Sequence, residues 1–514
     1  MRRFVFLSDA HSTAPLAPIQ QRVAQGCGRK VREAGPDVIL LGGDLTHRPE
    51  TAQADAFLEA FAVRDFPLYY LPGNNEGDRF CYPAGVTPVA SCVELEGGVW
   101  LLPTANGAQA RESVDALLER LPEEGSALVF AHFPPFIAGE ERLKRLEASS
   151  CRIHWICGHR HQAHDATSGS LRVTLCAGLD PVKVRGSLPE WLAVEWDGAT
   201  AQVRREGIPS EVLNPQRQPI HRAGLAFRGT GEQLLRLALE RKIPAIQFHY
   251  HHSAGLPTET ERELAGTFRE KLPGGFLSLH LPNFPHPEEG PDLADQEASL
   301  QFAEAMGLDD LTIHLPNVRA CTLFRHDGTL QESEWARGCI ATYVALAARA
   351  IRMGAQISFE NVYNKAVKPA GEERLASRPW HLLRFVEAVR AGLREEGFSS
   401  REAERVGIIF DAGHAFADVQ MGKYYGLADW LVQVAPYLQL LHVHQVTRRP
   451  DGEGTVNHQP ISEGYGPLIN YHGFLSALGD VCARPLCLLV EVREREAALL
   501  SYATLRESGL LRPD

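Results

Sequence analysis

The sequence predicts an α/β protein with two domains, an open-sheet domain followed by a closed barrel of eight βα units. Three observations predict this fold class. The length of 514 residues exceeds what one ordinary hydrophobic core holds. Before about residue 165, apolar runs end in polar residues, as buried parallel strands do in open sheets. From residue 221 onward, strand and helix patterns alternate regularly, which is typical of βα units.

The domain boundary is predicted from a change in composition. Between Glu206 and Gln218 the sequence becomes rich in proline and loses its periodicity, as expected of a connection between domains. We therefore expect one domain over residues 1–205, a linker over 206–220 and a second domain over 221–514.

Composition excludes several classes of protein. The hydrophobic fraction of 44% and the charged fraction of 23% are those of a globular chain. No apolar run has transmembrane length, and the run from Phe4 to Leu7 leads directly into Asp9, so we expect neither a membrane span nor a signal peptide. Ten cysteines without CxxC spacing fit a reducing cytoplasm. The net charge of -12 predicts no broad basic surface for nucleic acid.

In the first part of the chain, five strand-like runs are each followed by residue types that bind metals. These residues are Asp9, His11, Asp44, Asn74, His132, His159 and His161. The carboxyl ends of parallel strands meet at one edge of a sheet, so these side chains should converge there. Asp or Asn oxygens can be shared by two cations, and two cations roughly 3.5 to 4 Å apart can clamp a phosphoryl group. A phosphate ester is the expected substrate.

The order of these residues, D-x-H, G-D, G-N, H and G-H-x-H, resembles the pattern of calcineurin-like metallophosphoesterases over about residues 1–205. The resemblance implies a four-layer α/β domain and a binuclear site with these seven residues as ligands and Asp44 as the bridge. Many members of that family have His after the motif Asn, whereas this chain has Asn75. The missing proton donor favours diester cleavage over alkyl monoesters.

In the second part, eight strands are predicted at residues 224–227, 245–250, 276–280, 311–314, 356–360, 407–411, 438–442 and 485–491. Eight βα units close into a barrel, and the carboxyl ends of barrel strands build the active site. Those ends carry His280, His314, Glu360, Asp411, His442 and Glu491. Each of these side chains is a candidate metal ligand.

The motifs around these residues resemble the xylose isomerase-like barrels, and within them endonuclease IV, over roughly residues 221–495. They include Phe359-Glu360-Asn361 and the run from Phe410 to His414. The resemblance implies one metal held by His280, His314 and Glu360. It implies a second metal held by Glu360, Asp411, His442 and Glu491, with Glu360 as the bridge.

A third metal in endonuclease IV uses a His like His414 and an Asp-x-His pair, which would place His458 as a further ligand. Here the pair reads Val456-Asn457-His458, so the Asp is missing. The third site is then absent, weak, or completed by a neighbour such as Asp451 or Glu453. His442 and His444 point the same way along their strand. We prefer His442 as the ligand and leave His444 as a substrate-facing or supporting residue.

These features predict a metal-dependent phosphoesterase with two active sites. We expect catalysis to depend on Asp44, Asn74, His132, Glu360 and Glu491. The cofactors would be divalent Mn, Fe or Zn, two in the first domain and two or three in the barrel. The expected partner is a phosphoester substrate, with DNA or a nucleotide as candidates. The alternative is a sugar or sugar phosphate isomerase or epimerase barrel coupled to a phosphatase domain.

Overall fold

The computed structural model of the chain describes residues 1–77, 80–186, 188–213, 219–249, 255–283, 294–366, 368–369, 371–418, 426–448, 455–462 and 468–511. The chain divides into two compact units. The first unit comprises Met1–Gln216, Gly422–Asp429 and Leu468–Asp480, and the second comprises the remaining segments. The domain limits given above remain predictions.

The first unit contains two six-stranded sheets. Its strands are β1 (Arg2–Leu7), β2 (Val38–Leu41), β3 (Leu68–Tyr70), β4 (Thr87–Pro88), β5 (Val93–Leu95), β6 (Val99–Leu102), β7 (Ser126–Ala131), β8 (Arg152–Cys157), β9 (His164–Ser168), β10 (Leu171–Leu175), β11 (Glu190–Trp196) and β12 (Ala201–Gly207). The sheet orders are β12-β11-β1-β2-β3-β4 and β5-β6-β7-β8-β10-β9. β1, β2 and β3 run parallel, as do β6, β7 and β8, so their carboxyl ends lie at one edge of each sheet.

The two sheets pack face to face with helices outside them, which confirms the predicted four-layer fold. In the shared core, the ring centroids of Phe4 and Phe6 lie 5.6 and 5.9 Å from that of Phe130. On the other face of the second sheet, Val114 and Leu146 from helices pack with Trp155. The helices of residues 1–213 are Pro18–Ala34, Thr51–Phe61, Gly107–Arg120, Pro135–Ala138 (3₁₀), Glu140–Glu147 and Ser210–Leu213.

The second unit contains the predicted closed barrel. Its strands are β13 (Ile220–Ala226), β14 (Ala245–His249), β15 (Phe276–His280), β16 (Asp310–His314), β17 (Gln356–Glu360), β18 (Val406–Asp411), β19 (Leu438–Val443) and β22 (Leu486–Glu491). All neighbours in this barrel are parallel. Register pairs His314 with Glu360 and Asp411 with His442, so the candidate ligands reach one level at the carboxyl ends.

Helices alternate with the barrel strands along the chain, and their sequences explain where they begin. Thr230 and Thr258 cap two of them through capping boxes with Gln233 and Glu261, which satisfy backbone N–H groups of the first turn. The helices after residue 220 are Gly231–Arg241, Glu259–Lys271, Ala294–Met306, Ala320–Leu323, Glu334–Arg352, Pro379–Glu395, Ser400–Ala403, Ala412–Ala417, Leu427–Val434, Ala435–Tyr437 (3₁₀), Tyr471–Val481 and Arg495–Glu507.

One element was not predicted from the sequence, an antiparallel ribbon between β19 and β22. It consists of β20 (Gln445–Arg448) and β21 (Thr455–Gln459), and Gln445 pairs with Gln459. The ribbon carries His458 back towards the end of β19. Among the described residues, no helix is both long and apolar enough to cross a membrane.

Candidate metal centres

The loops that follow the parallel strands of the first unit bring the seven predicted residues together. Two groups of possible ligand atoms form, each with all its atoms within 4.8 Å of one another. One group consists of Asp9, His11 and His161, and the other of Asp44, His132 and His159. Asn74 joins the second group, because its Oδ1 lies 3.3 Å from Nε2 of His132.

The geometry within these groups suits shared cations. Nε2 of His11 and Nε2 of His161 lie 3.2 Å apart, a distance that fits either one N–H···N hydrogen bond or one cation bound to both nitrogens. Nδ1 of His132 donates to the carbonyl oxygen of Gly42 at 2.8 Å, which leaves its Nε2 facing Asp44 Oδ2 at 3.5 Å. A carbonyl that accepts from one ring nitrogen of a neutral histidine leaves the other nitrogen unprotonated and available to a metal.

The backbone at this site is strained in a way that ordinary loops are not. Asp9, His11, Asp44, His159 and His161 all have positive φ, between 44° and 71°. Residues other than glycine rarely adopt the left-handed region, and such strain persists where the surrounding structure holds it in place. Strain concentrated on five of the seven predicted ligands indicates a functional site.

The two residues that follow Asn74 in the sequence, Asn75 and Glu76, support this site. The carboxylate of Glu76 accepts from the backbone N–H groups of Asp44 and Gly73, both at 2.9 Å, and from the Tyr70 hydroxyl at 2.9 Å. The side-chain amide of Asn75 lies 2.9 Å from Nδ1 of His11. Asn75 thus occupies the position of the expected family histidine while contacting a candidate ligand.

At the site of the first domain, burial and neighbouring charges shift the pKa values of the candidate ligands in opposite directions. Burial raises the pKa of Asp9 and of Asp44, against the effect of His132. Burial alone would lower the pKa of His132, but the two carboxylates outweigh it and raise that pKa. Burial lowers the pKa of Lys183, which is opposed by Asp180, Asp44 and Asp9. A cation at this site would therefore relieve the cost of holding two buried carboxylates close together.

Glu360 lies at the centre of the barrel site. Its Oε2 lies 3.0 Å from Nε2 of His280 and 3.2 Å from Nε2 of His314. Its Oε1 lies 3.2 Å from Nδ1 of His442 and 3.4 Å from Nδ1 of His414. The two oxygens of one buried carboxylate therefore face two different sets of histidines.

The remaining barrel residues surround the second oxygen of Glu360. Asp411, His442 and Glu491 form a compact group with it, and His280 and His314 form another. Nδ1 of His442 lies 3.3 Å from Glu491 Oε2. A third group contains Asp411, His414, His444 and His458. The structure thus brings all eight predicted barrel ligands together and adds His444.

The histidines are oriented by hydrogen bonds from the ring nitrogen that faces away from the carboxylates. Nδ1 of His280 donates to Leu281 O at 3.0 Å, and Nδ1 of His314 donates to Asn283 Oδ1 at 2.9 Å. His442 has the opposite orientation, because its Nε2 lies 2.7 Å from Oε1 of Gln247 and donates to it. These bonds fix which nitrogen is available to a cation.

A buried polar network lies beneath the barrel site. Gln247 Nε2 donates to the hydroxyls of Ser278 and Thr312, at 3.0 and 3.1 Å. Both hydroxyls donate to Asp310, as does the hydroxyl of Ser358, at 2.8 to 3.0 Å. Burial raises the pKa of Asp310 to about 6 in spite of these hydrogen bonds. The network holds Gln247, and through it the ring of His442, in one orientation.

Histidines offset the cost of burying the barrel carboxylates. Burial would raise the pKa of Glu360, yet His314, His442 and His280 hold it well below its usual range. Burial disfavours the charged ring of His442, but Glu491 and Glu360 raise its pKa to about 10. Protons and cations therefore compete for these nitrogens.

Comparisons with known proteins identify both parts of the chain. A family model described as a xylose isomerase-like TIM barrel matches residues 232–507, which is more than half of the chain. The chain belongs to the xylose isomerase-like TIM barrel family. The model of the calcineurin-like phosphoesterases matches residues 2–163, so the first part is a metallophosphoesterase domain. No protein of curated function matches the chain.

Several solved structures resemble the TIM barrel. A D-tagatose 3-epimerase-like protein is 15% identical and covers 56% of this chain and 96% of its own, with a TM-score of 0.37. A xylose isomerase domain protein from Planctomyces limnophilus is 18% identical over 58% of this chain and 97% of its own, with a TM-score of 0.37. Endonuclease IV from Thermus thermophilus is 15% identical over 56% of this chain and 99% of its own, with a TM-score of 0.35. Likenesses this low support no statement about activity.

The side chains in both parts fit divalent cations. Asp9 Oδ1, His314 Nε2 and Glu491 Oε2 are buried and make no hydrogen bond of good geometry among the described residues, although His314 Nε2 and Glu491 Oε2 lie within 3.3 Å of an oppositely charged group. Buried polar atoms are rarely left without partners, and here they face the carboxylates and rings of the candidate ligands. Mixed carboxylate and imidazole sets suit manganese, iron and zinc.

Sequence reasoning missed the residues that support the ligands. Glu76, Gln247 and Lys183 were not singled out, because none ends a strand-like run in a recognised motif. Asn361 was quoted as part of a motif, but its role emerges only here. Its side chain bonds both backbone groups of Asp411, accepting at 2.7 Å and donating at 2.9 Å. Asp451 and Glu453 lie outside the described residues.

Proposed function

We propose that the chain is a bifunctional metal-dependent phosphoesterase. Its first domain would carry a binuclear phosphodiesterase site, and its TIM barrel an endonuclease IV-like site that hydrolyses phosphodiesters, with nucleic acids and nucleotides as the substrate class to test. The ligands would be the seven residues of the first domain and His280, His314, Glu360, Asp411, His414, His442, His458 and Glu491. Divalent Mn, Fe or Zn would serve as cofactors.

The position of Glu360 carries the proposal for the barrel. One of its oxygens faces His280 and His314, and the other faces His442 and His414. A carboxylate placed between two nitrogen sets is suited to bridging two cations. A site for one cation would need only one of the two sets, so the pair of histidines on Oε2 supports phosphoester hydrolysis.

The chain's own residues set up the reaction in each domain. Bound metals would supply a water that ionises near neutral pH and would stabilise charge on the phosphoryl oxygens. The carboxylates of Asp44 and Glu360 hold the candidate ligand rings in place. Asn75 has no acidic proton for the leaving group, so the first site would favour esters whose leaving oxygen needs no protonation.

A second function is favoured by one observation. Glu360, Asp411, His442 and Glu491 form a complete four-ligand group on their own. Such a group suffices for one cation, as an isomerase or epimerase of sugars or sugar phosphates would need, with the first domain acting as a phosphatase. In that case His280 and His314 would contact the substrate rather than a metal.

The barrel is tested with a labelled duplex that contains an abasic site and, in parallel, a panel of ketose phosphates. The intact chain is compared with Glu360→Gln, His314→Asn and Glu270→Gln, a control at an exposed helix position. Duplex cleavage that is lost in the first two variants and kept in the control is the expected result. Epimerisation of a sugar phosphate by a chain that leaves the duplex intact would overturn the hydrolase proposal for the barrel.

The first domain is tested separately with bis(p-nitrophenyl) phosphate and p-nitrophenyl phosphate. Asp44→Asn should abolish hydrolysis of the diester, whereas Asp65→Asn, at an exposed position, should leave it unchanged. Hydrolysis that survives in Asp44→Asn would contradict the proposed binuclear site.

A further inference from the structure

A cluster of three histidines and one carboxylate lies beside the two-metal group of the barrel. It consists of Asp411, His414, His444 and His458, whose candidate ligand atoms all lie within 4.8 Å of one another. The acid expected two residues before His458 is replaced by Val456. The cluster nevertheless offers four ligand atoms, because His444 contributes a side chain that the sequence pattern did not assign.

The ring of His444 is directed into this cluster. Its Nε2 lies 3.1 and 3.2 Å from the two carboxylate oxygens of Asp411. Its ring stacks on His458 with centroids 4.4 Å apart and lies 5.8 Å from the ring of His414. The side chain is fully buried. Its Nδ1 accepts from the backbone N–H of His458 at 2.9 Å and lies 3.1 Å from the carbonyl oxygen of Gln445, so backbone groups of the ribbon hold the ring with Nε2 directed into the cluster.

A glycine makes the approach of His444 possible. A Cβ added to Gly413 would lie 1.9 Å from Cε1 of His444 and 2.4 Å from each of its ring nitrogens. Any larger residue at position 413 would therefore displace the ring. The Asp-Ala-Gly-His run thus supplies two of the cluster's residues and the space for a third.

His458 provides an independent indication of a ligand. It has a φ of 57°, in the left-handed region, although it lies on the β20–β21 ribbon. Its Nδ1 is buried and has no hydrogen-bond partner among the described residues. Its Nε2 lies 3.4 Å from Glu491 Oε2. A strained residue with an unpartnered buried nitrogen is expected where a bound group offsets the cost.

We propose that His444 takes the place of the missing acid, so that the barrel binds a third divalent cation through His414, His444, His458 and Asp411. The inference rests on the proposed metal chemistry of the barrel and deepens it. Three imidazoles and one carboxylate favour zinc over magnesium or calcium, which prefer oxygen ligands.

The presence of His444 in place of the expected acid also affects which substrate charge the site favours. Glu360, Asp411 and Glu491 are the carboxylates of the combined groups. Three carboxylates cannot neutralise three divalent cations, so the filled site keeps an excess of positive charge. That excess selects an anionic substrate, such as a phosphodiester, over a neutral sugar.

The test is the metal content of the intact chain, measured by elemental analysis after equilibration with Zn²⁺ and removal of the unbound ion. His444→Gln should lose about one equivalent of zinc per chain, and His444→Asp, which restores a carboxylate, should keep it. Gly413→Ala should lose the same equivalent by displacing the ring. His326→Asn, at an exposed position, serves as the matched control and should be unchanged.

Each outcome has a defined meaning. Circular dichroism and thermal unfolding would verify that the variants are folded, and His444→Asp gives a second measurement if His444→Gln is unstable. Unchanged zinc content in folded His444→Gln would overturn the assignment of His444. The same conclusion would follow if Asp451→Asn lost one equivalent of zinc while His444→Gln kept it. If duplex cleavage still depended on Glu360 in that case, the proposed function would stand without the third site.

Discussion

Nε2 of His442 donates a hydrogen bond of 2.7 Å to Oε1 of Gln247, although 195 residues separate them in the chain. Both side chains are fully buried. The bond places the proton on Nε2 and turns Nδ1 towards Glu360 and Glu491. Gln247 is in turn held by hydroxyls that donate to Asp310. The barrel site therefore includes a layer of buried polar side chains, from Gln247 to Asp310, that lies beneath the candidate ligands and orients them.

Replacing Gln247 should weaken metal binding in the barrel. Gln247→Leu removes the acceptor that fixes the tautomer of His442, and the loss of such a supporting bond typically costs roughly 10- to 100-fold in metal affinity. Competition with a chromophoric chelator would measure it. Gln247→Glu keeps an acceptor at the same place and should bind more tightly than the Leu variant. Equal affinity in the two variants would show that the hydrogen bond does not orient the ring.

Replacing Glu76 should destabilise the first domain and slow hydrolysis at its site. Its carboxylate accepts from the backbone N–H groups of Asp44 and Gly73, which follow neighbouring strands, so Glu76→Gln turns an N–H donor towards other donors. A buried group left without its partner costs about 1 to 3 kcal/mol. We expect a loss of that order in the free energy of unfolding, together with slower hydrolysis of bis(p-nitrophenyl) phosphate. Tyr70→Phe removes one bond to Glu76 and should cost less; the reverse order would argue against this role of Glu76.

Asn75→His should change the preference of the first site among leaving groups. The new ring would supply a proton donor beside His11, where the amide now lies 2.9 Å away. Hydrolysis of an alkyl phosphomonoester should rise relative to that of p-nitrophenyl phosphate, on the order of tenfold or more, because only the poor leaving group needs protonation. Asn75→Gln is the matched control without an acid. An unchanged ratio of the two rates would contradict the proposed role of position 75.

Asp310 should make stability depend on pH in a defined window. Burial raises its folded pKa to about 6 from an ordinary value of 3.8. Between about pH 4 and 6 the folded protein keeps a proton that the unfolded chain releases, so this group's contribution to stability falls as pH rises. The full loss is at most about 3 kcal/mol.

Unfolding of wild type and Asp310→Asn, measured at several pH values with a chelator present throughout, would isolate this effect. The difference between the two should shift in favour of the variant as pH rises from about 4 to about 7. Asp65→Asn, at an exposed position, controls for the loss of a surface carboxylate. Parallel profiles for wild type and Asp310→Asn would contradict the raised pKa.

The strands that carry the candidate sites could be predicted because each is a short apolar run that ends in a polar residue. Phe276–His280 and Gln356–Glu360 are found as predicted. The β20–β21 ribbon was not predicted, because its two short strands pair only with each other and Val446 is the one apolar side chain that their described residues bury, too few to give a periodic pattern.

The sequence by itself determined the fold class of both domains and the residue types at the strand ends, because apolar periodicity and motif order are local properties. Only the tertiary structure decided that His442 and His444 belong to different groups and that Gly413 makes room for a ring. It also decided that Gln247 supports His442, and that Glu76 supports the site of the first domain. These relationships depend on register between strands and on side-chain orientation across the barrel. Both are set by packing between residues far apart in the chain, which no local pattern records.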